Sequence, residues 1–111
     1  MKMKIINYND ISFVIGKNSK ENWDILDEYS KINCNFIWFH LNSFPSGYVI
    51  MLSEDINNND LLNFAALLCK ENTKYKNLKD LKICYTTLNK LKKTDKIGEV
   101  RIIGKPKIIK I

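Results

Sequence analysis

Side chains that carry out acid–base or nucleophilic chemistry are few in this sequence of 111 residues. His40 is the only histidine, and its pKa range permits proton transfer near neutral pH. It follows the aromatic run at residues 36–39 with no partner nucleophile in the spacing, so a structural role, a ligand or phosphate contact and catalysis stay open. Asp24 and Glu28 have the i,i+4 spacing that is typical of a solvated helix face. These patterns predict a protein that is not an enzyme and has no catalytic residue.

The cysteines Cys34, Cys69 and Cys84 are the other residues with distinctive chemistry. No two of them have C-x-x-C spacing, and a single histidine does not complete a usual zinc ligand set. Each lies in or close to an apolar run, and free cysteines in such positions are usually buried. We therefore expect three buried, reduced thiols, with no disulfide, no metal and no cofactor.

Basic residues are distributed unevenly along the chain. Residues 1–69 contain five lysines and eight acidic residues, whereas residues 70–111 contain thirteen basic and four acidic residues. The formal charge is +6 overall. Such asymmetry is typical of a surface that faces a polyanion, although a lysine-rich solvated face would have the same composition.

Two segments place lysines where phosphates bind most readily. Residues 89–96 form a basic loop between predicted strands, and a flexible lysine cluster suits phosphates rather than base identity. Gly16 ends a predicted strand just before a helix, whose N-terminal N–H groups favour a phosphate. That segment lacks the second glycine and the Lys-Ser/Thr pair of a nucleotide-binding loop, and a plain structural turn is its alternative interpretation. The candidate lysines are Lys17, Lys20, Lys90, Lys92, Lys93 and Lys96.

Aromatic side chains near these lysines offer stacking surfaces. Strand alternation places Trp38 and His40 on one face of a sheet, which is either core or a binding platform. Phe39, Phe44 and Tyr48 add stacking surfaces if a sheet edge is exposed, with core positions as the alternative. A basic surface with nearby aromatic residues is typical of proteins that recognise RNA by its shape.

The elements that must position these residues are short strands and two helices. Asn18-Ser19 supplies N-cap candidates for a helix that ends near residues 31–35. Asp60 is predicted to cap a second helix, in which apolar residues recur at i, i+3, i+4, i+7 and i+8. Apolar runs predict a hairpin from residues 5–8 and 11–15, paired central strands at 36–41 and 48–52 joined by a loop at 42–47, a strand at 81–86, and a final strand pair, 99–103 with 107–111, around Gly104-Lys105-Pro106.

The chain has the length and composition of a single packed domain over residues 1–111, with 45% hydrophobic residues. The pattern predicts an α+β fold, with two helices on a mainly antiparallel sheet of about six to seven strands. The uncharged stretch at 32–53 contains too many polar residues for a membrane span, and the first ten residues lack the apolar core of a signal peptide. We expect a cytoplasmic protein with no membrane partner.

Four motifs, in order along the chain, resemble the NFACT-R domain, an RNA-binding module of ribosome-associated quality control proteins, in its stand-alone form. They are Gly16-Lys17-Asn18 with Lys20 and Asn22, Ile37-Trp38-Phe39-His40, Pro45-Ser46-Gly47-Tyr48-Val49-Ile50, and Leu91-Lys92-Lys93 followed by Gly98-Glu99-Val100.

The resemblance implies binding to the backbone of ribosomal RNA or transfer RNA, with the ribosome or a translation complex as partner. Phe36 and Tyr48 stand where the family usually has Asp and His, so polar interactions of those two positions do not carry over. A protein-interaction adaptor with an exposed aromatic face and a DNA-binding protein are the alternatives. The candidate RNA-binding residues are Lys17, Asn18, Lys20, Asn22, Trp38, His40, Lys90, Lys92, Lys93 and Lys96.

Overall fold

The computed structural model describes residues 4–42 and 44–111; residues 1–3, and Ser43 of the predicted loop at 42–47, lie outside the described residues. The two helices fall between strands, and a short 3-10 turn, Leu88–Lys90, precedes the sixth strand. The elements are β1 (Lys4–Tyr8), β2 (Ile11–Ile15), α1 (Ser19–Ile32), β3 (Ile37–Leu41), β4 (Val49–Met51), α2 (Asn59–Glu71), β5 (Lys82–Thr87), β6 (Leu91–Lys93), β7 (Val100–Ile102) and β8 (Lys107–Lys110).

Six of these strands form one antiparallel sheet in the order β1-β2-β4-β3-β5-β8. The predicted first hairpin is confirmed, and Asn9 and Asp10 both adopt positive φ at its turn, a conformation that these short polar residues tolerate. The predicted pairing of the two central strands is confirmed as well, with Trp38 opposite Ile50. The prediction of an α+β fold with a mainly antiparallel sheet is therefore correct.

Each face of the sheet packs against a different helix, because successive strand residues point to opposite sides. One face, which we call the α2 face, packs on Leu61, Leu62, Ala65, Ala66 and Leu68 of α2 through Phe13, Ile15, Ile37, Phe39, Leu41, Val49, Met51, Ile83 and Tyr85. The other, the α1 face, packs on Ile25, Leu26 and Tyr29 of α1 through Val14, Trp38, Tyr48, Ile50 and Cys84.

The predicted pairing of the last two strands is wrong. β7 pairs with β6 in a separate two-stranded hairpin, residues 91–102, which we call the basic hairpin. β8 instead pairs with β5 at the edge of the main sheet. Gly104, at a φ of 79°, lies between the two strands in a left-handed conformation that redirects the chain. Part of the predicted basic loop is consequently a strand.

The predicted cap of α2 also needs correction. Asn58, not Asp60, caps α2, because the Asn58 side chain accepts from the N–H of Leu61 at 3.2 Å. The Asp60 carboxylate instead accepts from the Tyr8 hydroxyl at 3.0 Å and from the Asn9 side chain at 2.8 Å, which ties the first hairpin to α2.

The thiols do not share one environment, contrary to the expectation. Cys34 is exposed because it lies in the link between α1 and β3. Cys69 and Cys84 are buried, and burial raises the pKa of Cys69 to about 12 and that of Cys84 to about 11. The two buried side chains therefore stay protonated at neutral pH and act as small apolar residues.

Candidate functional site

A cavity of about 480 Å³ opens on the α1 face, where the ends of β3 and β4 meet the basic hairpin. Four of the ten residues predicted to bind RNA line it, namely Asn22, Trp38, His40 and Lys96. Of the other six, Lys17 and Asn18 lie just before α1 and Lys20 in its first turn, while Lys90, Lys92 and Lys93 lie along β6 and its preceding turn.

Asn22 holds the floor of this region together rather than facing solvent. It is buried, its Oδ1 accepts from the backbone N–H of Tyr48 at 2.9 Å, and its Nδ2 donates to the carbonyl of Ser46 at 3.4 Å. A Cβ on Gly16 would lie 2.5 Å from that Oδ1, and one on Gly47 would lie 2.0 Å from the carbonyl oxygen of Gly16. The two glycines of the sequence motifs are thus required by close backbone packing.

Tyr48 fastens the basic hairpin to the sheet. Its hydroxyl donates to the carbonyl of Gly98 at 2.5 Å, and the Trp23 indole N–H of α1 donates to the carbonyl of Glu99 at 3.3 Å. Gly98 itself, at a φ of 85°, leaves no room for a Cβ beside Ser19. The tip of the hairpin is therefore seated on the first turn of α1, so the two predicted basic segments meet there.

His40 and Trp38 form the aromatic wall of the cavity. Their rings stack with centroids 5.5 Å apart and planes within 9°, and the Tyr48 ring meets both edge-on. Burial lowers the pKa of His40, although the backbone carbonyl groups of Leu41 and Ser46 oppose this shift. His40 is hence neutral at pH 7 and does not supply a positive charge for a phosphate.

Acidic side chains compensate the positive charge at the start of α1. The Asn18 side chain caps the helix by accepting from the N–H of Glu21 at 2.9 Å, and the Glu21 carboxylate accepts from the N–H of Lys17 at 3.0 Å. Lys20 forms an ion pair with Asp24 at 2.8 Å. The Glu21 carboxylate thus occupies the place that the sequence interpretation gave to a phosphate, and Lys17 alone of the two lysines keeps an unpaired ammonium group.

The lysines of the basic hairpin divide into an inner and an outer set. The inner one, Lys93, forms an ion pair with Asp27 at 2.6 Å, and its Nζ lies 4.8 Å from the centroid of the Trp23 ring. The outer one, Lys92, stands directly opposite Arg101 across the hairpin, and both are exposed. Within residues 4–42 and 44–111, the ion pairs of Lys20 and Lys93 are the two that form, so Lys90, Lys92, Lys96 and Arg101 have no carboxylate partner.

Three cations missed by the sequence interpretation belong to this pattern. Arg101 joins Lys92 on the hairpin, while Lys82 of β5 faces Lys110 of β8 across the sheet edge. Alternation places Lys82 and Lys110 on the α1 face, beside Cys84 of the cavity wall. The alternation of polar and apolar residues within each strand marks these three residues as solvent-facing. Their pairing with other cations depends on strand pairings that the sequence does not reveal.

The sequence matches no protein-family model and no curated protein. A solved structure, described as the C-terminal of the fibronectin/fibrinogen-binding protein from Streptococcus suis, superposes with a TM-score of 0.88 and 21% sequence identity. The match covers 100% of this chain and 45% of that one, so the chain spans less than half the length of its structural neighbour. At this identity the likeness shows a shared fold.

Neither described helix has the length and apolar character needed to cross a membrane. In the described part of the chain, no three His, Cys, Asp or Glu side chains are grouped closely enough to hold a metal ion together.

Proposed function

We propose that this chain is an RNA-binding domain that contacts the backbone of ribosomal RNA or transfer RNA in a translation complex. The observation that carries the proposal is the pair of exposed cations, Lys92 and Arg101, that stand opposite each other on the outer face of the basic hairpin and form no ion pair with a carboxylate of the described residues. Lys90, just before the basic hairpin, and Lys96 within it add positive charge that pairs with no carboxylate of the described residues.

Like charges stand opposite each other at two places in the strand pairings. Like charges directly opposite in an antiparallel pair destabilise the pairing, and Lys82 with Lys110 repeats the arrangement at the sheet edge. A sugar-phosphate chain along this side of the molecule would offset both repulsions and release its condensed counterions. The resemblance of the four sequence motifs to the NFACT-R domain supports RNA over DNA as the nucleic acid.

The contacts of each lysine suggest how the proposed site divides its work. Lys93 and Lys20 are held by carboxylates, and Asn18 and Asn22 bond to the backbone, so we assign these four residues to the support of the site. The phosphate contacts are assigned to Lys17, Lys90, Lys92, Lys96, Arg101, Lys82 and Lys110.

Filter binding of ribosomal RNA fragments and transfer RNA tests this assignment. Replacing Lys92 and Arg101 by alanine should weaken retention at low salt at least tenfold, because two phosphate contacts are lost. Lys93→Ala is the matched control, since it removes one neighbouring charge that Asp27 already compensates. Equal loss in the double variant and the control would overturn the division into inner and outer lysines, and full retention in the double variant would remove the hairpin from the site.

A protein-binding role is the second candidate, and the structural neighbour favours it. That neighbour comes from a protein described as binding fibronectin and fibrinogen. Pull-down of partners with and without nuclease separates the two candidates. Partner binding that survives nuclease and high salt would support a protein adaptor, whereas loss under both treatments would support RNA binding.

A further inference from the structure

β8 is the outermost strand of the main sheet, and its outer edge has no neighbouring strand in the described part of the chain. Just beyond the strand ends, Leu81 and Ile111 exchange both of their backbone hydrogen bonds, at 3.1 and 2.9 Å. Hydrogen-bonded and non-hydrogen-bonded pairs alternate along an antiparallel ladder. Ile109 therefore bonds toward β5, whereas Ile108 and Lys110 direct their backbone N–H and carbonyl groups outward, where they are available to an added strand.

The side chains of β8 place an apolar centre between two cations. The strand has the sequence Lys107-Ile108-Ile109-Lys110, and the Ile108 side chain is 44% exposed. Both lysines are exposed, and neither forms an ion pair with a carboxylate of residues 4–42 or 44–111. Lys82, opposite Lys110 on β5, adds further positive charge. The edge thus combines free backbone groups, an apolar centre and a cationic border.

The charge of this edge determines which strand it accepts. A second copy of β8 laid antiparallel on the first would place Lys107 opposite Lys110, and like charges directly opposite each other destabilise a strand pair. Lysines on edge strands commonly prevent such self-pairing. An extended segment with acidic residues at the matching positions would instead form two ion pairs in addition to the main-chain hydrogen bonds. The same lysines therefore oppose one partner and favour the other.

We propose that β8 is a docking edge for an extended acidic segment of a partner protein, which adds to the main sheet as a further strand. The segment that fits reads acidic, apolar, apolar, acidic, so that its carboxylates face Lys107 and Lys110 while its apolar side chains cover Ile108 and Ile109. The inference goes beyond the proposed function, because a strand contact on the main sheet does not require the basic hairpin. Lys110 is the residue that the two surfaces share.

Fluorescence anisotropy with a labelled peptide of central sequence Glu-Ile-Val-Glu tests the proposal on the full chain. A matched Lys-Ile-Val-Lys peptide should bind at least about tenfold more weakly, because like charges replace the ion pairs. Two further peptides carry N-methyl groups on alternate residues, either the first and third or the second and fourth. Only alternate N–H groups of an added strand point to its neighbour. One methylated peptide should therefore lose about tenfold or more in affinity, and the other should keep it.

A proline variant tests the same edge from the side of the protein. Ile108→Pro removes an N–H that points away from β5, and proline is tolerated at such edge positions. Ile5→Pro is the matched control on the opposite edge of the sheet. The N–H of Gly16 donates to the carbonyl of Tyr48 on the β4 side, so the alternation turns the N–H of Ile5 outward as well. Ile108→Pro should weaken binding of the acidic peptide about tenfold, and Ile5→Pro should leave it unchanged.

The outcomes separate this proposal from the proposed function. Absence of peptide binding to the wild type up to about 1 mM would overturn the docking edge, as would equal affinity of the two methylated peptides or wild-type affinity in a folded Ile108→Pro protein. Reduced RNA retention in Ile108→Pro without any peptide binding would assign the edge to RNA, which overturns this proposal alone. Peptide binding in a protein that retains no RNA would support the docking edge and overturn the proposed function. The methylated peptides decide the matter on the wild type if Ile108→Pro does not fold.

Discussion

The two faces of the six-stranded sheet are built from the same strands yet differ in how they are covered. The α2 face is closed mainly by apolar side chains, and its central residues Phe39 and Met51 are completely buried. The α1 face is covered by a helix and a hairpin that meet at polar contacts, and a cavity remains between them. The fold thus closes one face completely and leaves a cavity on the other.

This difference explains why the sequence motifs contain both large apolar residues and small or polar ones such as Gly16, Gly47 and Asn22. On the α2 face a residue needs only volume and apolarity, because burial of apolar surface is not directional. On the α1 side a Cβ on Gly16 would meet the side chain of Asn22, a Cβ on Gly47 would meet the carbonyl of Gly16, and Asn22 accepts from the backbone N–H of Tyr48. Substitutions should therefore be graded by volume on one face and by hydrogen-bond chemistry on the other.

The largest expected effect contrasts neighbours on β3. Phe39→Ala should lower the free energy of unfolding by about 3 to 5 kcal/mol, because it opens a cavity in the closed α2 face. His40→Ala should cost less than half as much, since His40 is only partly buried and borders an existing cavity. Urea unfolding measures both, and equal losses would contradict the distinction between the two faces.

A smaller effect is expected at the polar junction of the α1 face. Asn22→Ala should cost about 1 to 3 kcal/mol, because it leaves the N–H of Tyr48 buried without an acceptor. Asn18→Ala, four residues earlier, should cost about 1 kcal/mol through loss of an exposed helix cap. Thermal melts of the two variants provide the comparison, and a more damaging Asn18→Ala would show that the junction does not depend on Asn22.

The smallest effect is a pH dependence that arises at His40. Because burial lowers its pKa in the folded state, the unfolded chain binds a proton more readily, and stability rises with pH across that interval. The contribution of neutral His40 is therefore complete above the ordinary histidine pKa of about 6.5 and is lost as the pH falls toward the lower folded-state pKa. The melting temperature of the wild type should drop more between pH 7.5 and 5.5 than that of His40→Gln. Parallel curves would place the dependence elsewhere.

The sequence predicted the elements that depend on local patterns. α2 followed from the i, i+3, i+4 repeat, the first hairpin from Asn9-Asp10, and the α1 cap from Asn18, because each signal lies within a few residues. Three partners could not be predicted this way. The carboxylate of Asp60 accepts from Tyr8, the ammonium group of Lys93 lies over the ring of Trp23, and β8 pairs with β5 instead of β7. All three contacts join segments that are distant in sequence and meet only in the folded chain.

The candidate site was predicted in part for the same reason. Trp38 and His40 were placed on one face by strand alternation, and their stacked rings in the cavity wall confirm that shared face. The prediction from sequence treated Lys92 and Lys93 as equivalent. In the hairpin Lys92 points outward, whereas Lys93 points toward Asp27 and forms an ion pair with it. Lys92 and Lys93 face opposite sides because side chains alternate along a strand, but which side faces α1 depends on the pairing of β6 with β7, which the sequence does not reveal.

The salt dependence of RNA affinity tests the central claim most directly. If Lys92 and Arg101 each contact a phosphate, replacing both by alanine should reduce the slope of log affinity against log salt by about 1.4 to 1.8, while Lys93→Ala leaves the slope near its wild-type value. A double variant with the wild-type slope would contradict the account, because the exposed cations of the hairpin would then have no part in binding RNA.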